Sequence, residues 1–155
     1  MRISSKSMYA LRALFDIAFH NHGRPTKVDA IALREEVPPR FLEQIFQDLK
    51  SAKLVGSKRG PNGGYFLVKS PETITVGDVI RAIEGPIEAP DGRAGDASEG
   101  WSGVPTARAV TTLVWTELAA AIAATLDSVS LSDLSVRGEQ LGVRRDADAD
   151  FSYVI

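Results

Sequence analysis

Pro38 and Pro39 stand between two runs of helical periodicity, and no other feature restricts the fold of this chain as much. Proline has no N–H to give to a helix and drives the residue before it out of the α region, so the run "TKVDAIALREEV" has to stop at "VPP". Pro39 nonetheless suits the first position of a new helix. In "PRFLEQIFQDLKSAKL", Leu42, Ile45, Phe46 and Leu49 make one apolar stripe and leave Arg40, Glu43, Gln44, Gln47 and Lys50 on the other side. The spacing predicts helices over 27–36 and 39–53 joined by a short turn, a helix-turn-helix. A capping box of Thr26 and Asp29 is expected to open the first.

The flanking segments extend the pattern. "SKSMYALRALFDIAFH" places Met8, Leu11, Leu14, Phe15 and Ala18 at helical spacings, with Ser4 or Ser5 as N-cap. "VGSKRGPNGGYFLVK" sets two strand-like runs about a turn of Gly, Pro and Asn, which predicts a β-hairpin. Helix, helix-turn-helix and hairpin in that order make a winged helix. "ITVGDVIRAIEG" adds a short helix with Thr75 as N-cap, Asp78 as its box partner, Ile74 and Val79 as a staple and Gly85 as stop. The expected fold is mainly α with a small β-hairpin: a winged helix-turn-helix domain over 1–84 plus a long dimerisation helix.

Residues 85–105 have no apolar period, so the expectation is a flexible loop with Trp101 as its one anchor. From Thr106 to about Val129 a long helix should carry Val110, Leu113, Val114, Leu118, Ile122 and Leu126, widened by Trp115 and several alanines. So small a domain cannot cover that face, and pairing with the same helix of a second subunit is the commonest remedy. Ser130 and Asp133 should cap one more short helix, giving a dimerisation unit over 106–135 and a tail over 136–155.

Charge divides the chain. Residues 1–69 hold 12 Lys+Arg against 6 Asp+Glu, whereas 70–155 hold 6 against 14. The basic half is the one used up in building the winged helix, so its expected partner is an anionic polymer or surface. Cysteine is absent, which excludes disulfides, thiolate nucleophiles and Cys-held metal or iron-sulfur sites from this chain. No uninterrupted apolar run approaches the ~18 residues that span a bilayer, and the start lacks a signal-peptide core. The expectation is a cytoplasmic protein with no membrane partner.

The glycine-rich "KRGPNGGYFL" follows a helix and enters a strand, the reverse of the order nucleotide-binding loops need. As a wing it offers Lys58 and Arg59 as charges, with glycines, Gly60 among them, that let backbone approach a phosphate or groove. On the second helix of the pair Arg40 suits guanine, Glu43 cytosine and Gln44 adenine. His20 and His22 have no third ligand of matching type nearby, and Asp91, Asp96 and Glu99 lack calcium-loop spacing, so no metal site is expected. No Ser/His/Asp set or carboxylate pair suggests catalysis.

The segments "MRISSKSMYALRAL", "FLEQIFQDLKSAKLVGSKRGPNGGYFL", "ITVGDVIRAIEG" and "LVWTELAAAIAATLDSVSLSDL" together resemble the Rrf-two family of bacterial winged-helix transcription regulators. The resemblance implies a homodimer with crossed long helices, reading a pseudo-palindrome in double-stranded DNA and repressing or activating according to promoter, with repression the leading expectation. It also implies roles at matching positions: Arg40, Phe41, Glu43 and Gln44 in the major groove, and Arg59 with Gly60 in the adjacent minor groove. Arg2, Ser4, Lys6 and Tyr9 would touch backbone phosphates. In cluster-binding members the loop before the long helix carries three cysteines, and here 85–105 has none. The chain therefore resembles the cluster-free members, expected to need no cofactor and to answer to a partner protein, a small molecule or no ligand. The rival reading is a protein-interaction module that keeps the scaffold and acts through its acidic half, loop and tail.

Overall fold

The computed structural model describes residues 3–88 and 107–145. Arg2, the segment 89–106 with Asp91, Asp96, Glu99, Trp101 and the expected helix start Thr106, and the tail beyond 145 lie outside the described residues. Helices α1 (Ser5–Asn21), α2 (Val28–Glu35) and α3 (Pro39–Ser51) are followed by β1 (Val55–Lys58) and β2 (Gly64–Leu67). After one turn of 3-10 helix come α4 (Val76–Glu84), α5 (Ala107–Asp127) and α6 (Leu131–Gln140). This is the expected mainly helical winged helix-turn-helix with a two-stranded hairpin and a long following helix.

α1 is the central post. Its buried residues include Ala10, Ala13, Leu14, Ile17 and Phe19, and α2, α3, α4 and α6 all pack on it. The small Ala10 and Ala13 lie on the buried face, whereas Met8, expected in the apolar stripe, is 54% exposed. Ser4 is the N-cap, accepting from the Ser7 N–H at 3.2 Å. Asp16 is fully buried in α1 and is held by the Arg34 guanidinium of α2 through Nε at 2.7 Å and Nη2 at 2.6 Å. A carboxylate can sit there only because this fork satisfies it.

The helix-turn-helix turn is Glu36 in the left-handed region (φ 53°), buried Val37 and Pro38, after which Pro39 starts α3. α3 ends at Ser51, two residues short of expectation, and Lys53 takes a positive φ of 59° on the way into β1. The expected Thr26–Asp29 capping box is not formed: Lys27 is the N-cap of α2 and makes no side-chain cap bond. Thr26 is engaged elsewhere, its N–H and C=O exchanged with Tyr65 at 2.8 and 2.9 Å in an isolated antiparallel bridge. The hairpin thus gains a third strand-like partner beside β2.

Thr75 with Asp78, and Ser130 with Asp133, do form the two other capping boxes. Ile74 and Val79 are buried as a staple requires, and Gly85 closes α4 at φ 85°. α6 continues to Gln140, five residues into the stretch expected to be tail.

α5 differs from the rest because none of its residues is buried. The hydroxyls of Thr111, Thr116 and Thr125 donate to backbone carbonyls one turn earlier, at 2.9 to 3.0 Å, and so are satisfied within the helix. Although polar residues interrupt it, α5 is by length and composition apolar enough to cross a membrane.

Candidate nucleic-acid interface

The second helix of the helix-turn-helix presents a strip of polar side chains. Arg40, Glu43, Gln44 and Gln47 are exposed while Leu42, Ile45, Phe46 and Leu49 are buried. The spacing i, i+3, i+4, i+7 puts the four on one face. Phe41 stands apart from that strip: it is half-buried, with its ring edge-on to Tyr9 at 5.6 Å, and Arg12 lies over Tyr9 at 5.5 Å. These two rings join the starts of α1 and α3, so in this structure they support the strip.

Lys58, Arg59 and Gly60 are exposed at the wing tip. The turn needs its glycines. Gly60 has φ 107°, and a Cβ on Gly63 would fall 2.2 Å from the Lys58 carbonyl oxygen. A Cβ on Gly64 would fall 2.2 Å from the Thr26 carbonyl oxygen, so this glycine permits the close approach that makes the Thr26–Tyr65 bridge.

Two contacts tie the wing to α3. Lys50 Nζ donates to Ser57 Oγ at 2.8 Å, and Phe46 stacks on Tyr65 with ring centroids 4.2 Å apart. Burial, and after it the negative charge of Glu43, raise the Tyr65 hydroxyl above its ordinary pKa. The carboxylate of the polar strip therefore lies within electrostatic reach of the wing's return strand. Lys50, Ser57 and Tyr65 were not among the expected site residues. The alternation of the "GGYFL" run could have singled out Tyr65, but no local signal joins Lys50 to Ser57.

The start of α1 is anchored to the same body. The Ser4 N–H and the Ser4 and Ser7 hydroxyls donate to Glu84 of α4, and those bonds, Ser4's first, hold the Glu84 carboxyl below its ordinary pKa. Lys6 pairs with Asp48 of α3 at 2.6 Å, both about 40% exposed. Ser4, Lys6 and Tyr9 thus already have intramolecular partners, and Lys6 keeps enough exposure to reach a second anion. Of the residues expected to dimerise, Val110, Leu113, Val114 and Leu118 are exposed and Ile122 and Leu126 are half-buried.

A family described as Rrf2, iron-dependent transcriptional regulator, matches residues 3–137. The chain belongs to the Rrf2 family. It is 35% identical over 151 residues to the HTH-type transcriptional regulator IscR of Aliivibrio salmonicida (strain LFI1238), covering 96% of this chain and 87% of the relative. It is also 35% identical to IscR of Pectobacterium carotovorum subsp. carotovorum (strain PC1), covering 97% and 88%. Among solved structures it is similar to T. potens IscR, with TM-score 0.72, 32% identity and coverage of 94% and 93%. The structure of CymR, the global cysteine regulator of B. subtilis, matches with TM-score 0.71, 32% identity and coverage of 88% and 98%. This Rrf2 protein is accordingly a DNA-binding transcriptional regulator and not an enzyme.

The iron dependence in the family description finds no thiolate ligand in this chain. It has no cysteine to give a cluster a thiolate, and among the described residues no group of three or more His, Asp or Glu could hold a metal ion. His22 has its ring nitrogens 3.2 and 3.3 Å from an Arg145 Nη1.

Proposed function

We propose that this Rrf2 regulator acts as a homodimeric, sequence-specific repressor on a pseudo-palindromic operator, in the cytoplasm and without a thiolate-held cluster. The observation that carries the reading is the single surface made by the exposed strip on α3 and the wing tip, tied together by Lys50–Ser57 and Phe46–Tyr65. A helix in the major groove and a wing beside it divide the work: the strip reads base edges and the tip engages backbone or minor groove. Arg40, Glu43 and Gln44 carry the base contacts, while Lys58, Arg59 and Gly60 serve the wing. Ser4, Lys6 and Tyr9 line the phosphate side, Arg2 being assigned there by sequence alone, and Phe41 props the strip.

The homodimer rests on α5. Exposed apolar residues from Val110 to Leu118, with threonine hydroxyls returned to the backbone, give a face that water penalises and a second copy would cover. A bilayer could also accept such a helix, but Glu117 on it and the ion pair at its C-terminal end favour a protein partner.

The operator is to be selected from random DNA and tested by mobility shift at moderate salt. Arg59→Ala should weaken binding broadly and reduce the salt slope by about one, as expected when one cation no longer neutralises a phosphate. Glu43→Ala should chiefly relax preference at one base pair, by about 1–3 kcal/mol. Binding no tighter to selected than to random DNA would overturn this reading and favour the protein-interaction module. Repeating the selection with cell extract detects a partner protein or small molecule that supplies the signal.

A further inference from the structure

The junction of α4 and α5 is held by more than a change of chain direction requires. Asp127, the last residue of α5, takes the Arg81 guanidinium of α4 in a fork, with Nη2 to Oδ1 at 2.6 Å and Nη1 to Oδ2 at 3.3 Å. The same Nη2 reaches Asp78 Oδ1 at 3.1 Å, and Thr75 Oγ1 donates to Asp127 Oδ1 at 3.3 Å. A Cβ on Gly77 would stand 1.9 Å from Asp127 Oδ1, so the carboxylate sits in the space a side chain would fill. Beneath it, the Val76 N–H donates to the Val129 carbonyl and the Leu131 N–H to the Ile74 carbonyl, both at 2.9 Å. The two capping boxes therefore open α4 and α6 side by side.

α4 is the principal element that α5 contacts, and α4 packs in turn on α1 and α3, with Val79 and Ile80 buried. The direction of α5 relative to the polar strip on α3 is thus set through α4 and this junction. We propose that Arg81 and Asp127 are positioning residues for DNA recognition: their clamp fixes the angle between α5 and the DNA-reading body, and so the half-site spacing the dimer accepts. The inference rests on the homodimer proposed above. In a two-fold dimer the two reading helices must lie about one DNA turn apart, and a tilt at the base of each body changes that separation directly.

Two variants disturb the clamp by different chemistry. Asp127→Asn keeps the shape and removes the charge. Gly77→Ala keeps both charges and displaces the carboxylate, at a helical position where alanine is otherwise favoured over glycine. Each full-length protein is measured by sedimentation and by binding to a single half-site and to duplexes whose spacer is lengthened or shortened by one or two base pairs. Both variants should remain dimers and keep wild-type affinity for the single half-site, while the spread of affinities across spacers shrinks by up to about fivefold. An unchanged spread in both variants, or a loss on the half-site equal to that on the full site, overturns the inference. A wild-type protein that sediments as a monomer while bound to one half-site overturns the homodimer reading and this inference with it. That failure appears in the wild type, whereas failure of the clamp alone appears only in the variants.

Discussion

α1 and α5 are both long helices rich in apolar residues, yet α1 buries eight of its 17 residues and α5 buries none of its 21. The difference lies in what surrounds them. α1 is enclosed by α2, α3, α4 and α6, and even its one buried carboxylate finds a fork within the chain. α5 leans mainly on α4 and leaves Val110, Leu113, Val114, Trp115 and Leu118 between 43% and 63% exposed. The DNA-reading body is completed by its own sequence, while the long helix carries apolar area that its own chain leaves uncovered. The two surfaces differ in chemistry, and the proposed function gives each its own partner: nucleic acid for the polar strip and wing on the reading body, a second copy for the apolar face of α5.

The contrast breaks most sharply at Asp16. Asp16→Ala removes the fully buried carboxylate and both of its charged hydrogen bonds to Arg34 and should cost about 3 kcal/mol of unfolding free energy, read as a lower urea midpoint at unchanged slope. A loss below ~1 kcal/mol would mean that α1 is not completed by this fork. Leu118→Asp addresses the other helix. Its side chain is 49% exposed, so the monomer's own packing should barely change, while association should weaken by about 2 kcal/mol or more. Sedimentation equilibrium separates the two effects, and unaltered association would remove α5 from the interface.

Gly64→Ala tests the wing, which the proposed function sets against DNA. The residue has φ 140°, and its added Cβ would press on the Thr26 carbonyl oxygen. About 1–3 kcal/mol of strain should fall on the hairpin, with DNA binding weakened and dimerisation intact. Parallel loss of DNA binding and of dimer would show that the wing and α5 are not independent.

Much of the reading body was legible because its signals are periodic. The strip Arg40, Glu43, Gln44 and Gln47 follows from helical spacing alone, and the boxes at Thr75 and Ser130 from a residue pair three apart. The same signature failed at Thr26 because Tyr65, far along the chain, takes that residue's backbone into a bridge, which no local pattern records. Met8 was misplaced because helical spacing of the larger apolar residues put it in the stripe, whereas the structure turns the face with the small Ala10 and Ala13 inward. The contacts that join elements, Asp16–Arg34, Lys50–Ser57 and Arg81–Asp127, depend on how helices meet and leave no periodic trace.

The smallest expected effect compares two Arg–Asp forks, one buried between α1 and α2 and the other open to water between α4 and α5. Arg81 and Asp127 are 36% and 42% exposed, so water screens their fork and its worth is about 1 kcal/mol at most. Its dependence on pH has a definite sign. Hydrogen bonds from Arg81, foremost, hold the Asp127 carboxyl below its ordinary value of 3.8, so the folded state binds this proton less readily than the unfolded chain. The stabilisation is fully present above that ordinary value and is lost as pH falls through the lowered folded one. Wild type should therefore melt slightly above Asp127→Asn at neutral pH, and the gap should narrow as pH falls below the ordinary carboxyl value through the lowered folded one. A gap that stays constant into strong acid would show that the carboxylate's charge contributes nothing and that the junction is held by its backbone bonds alone.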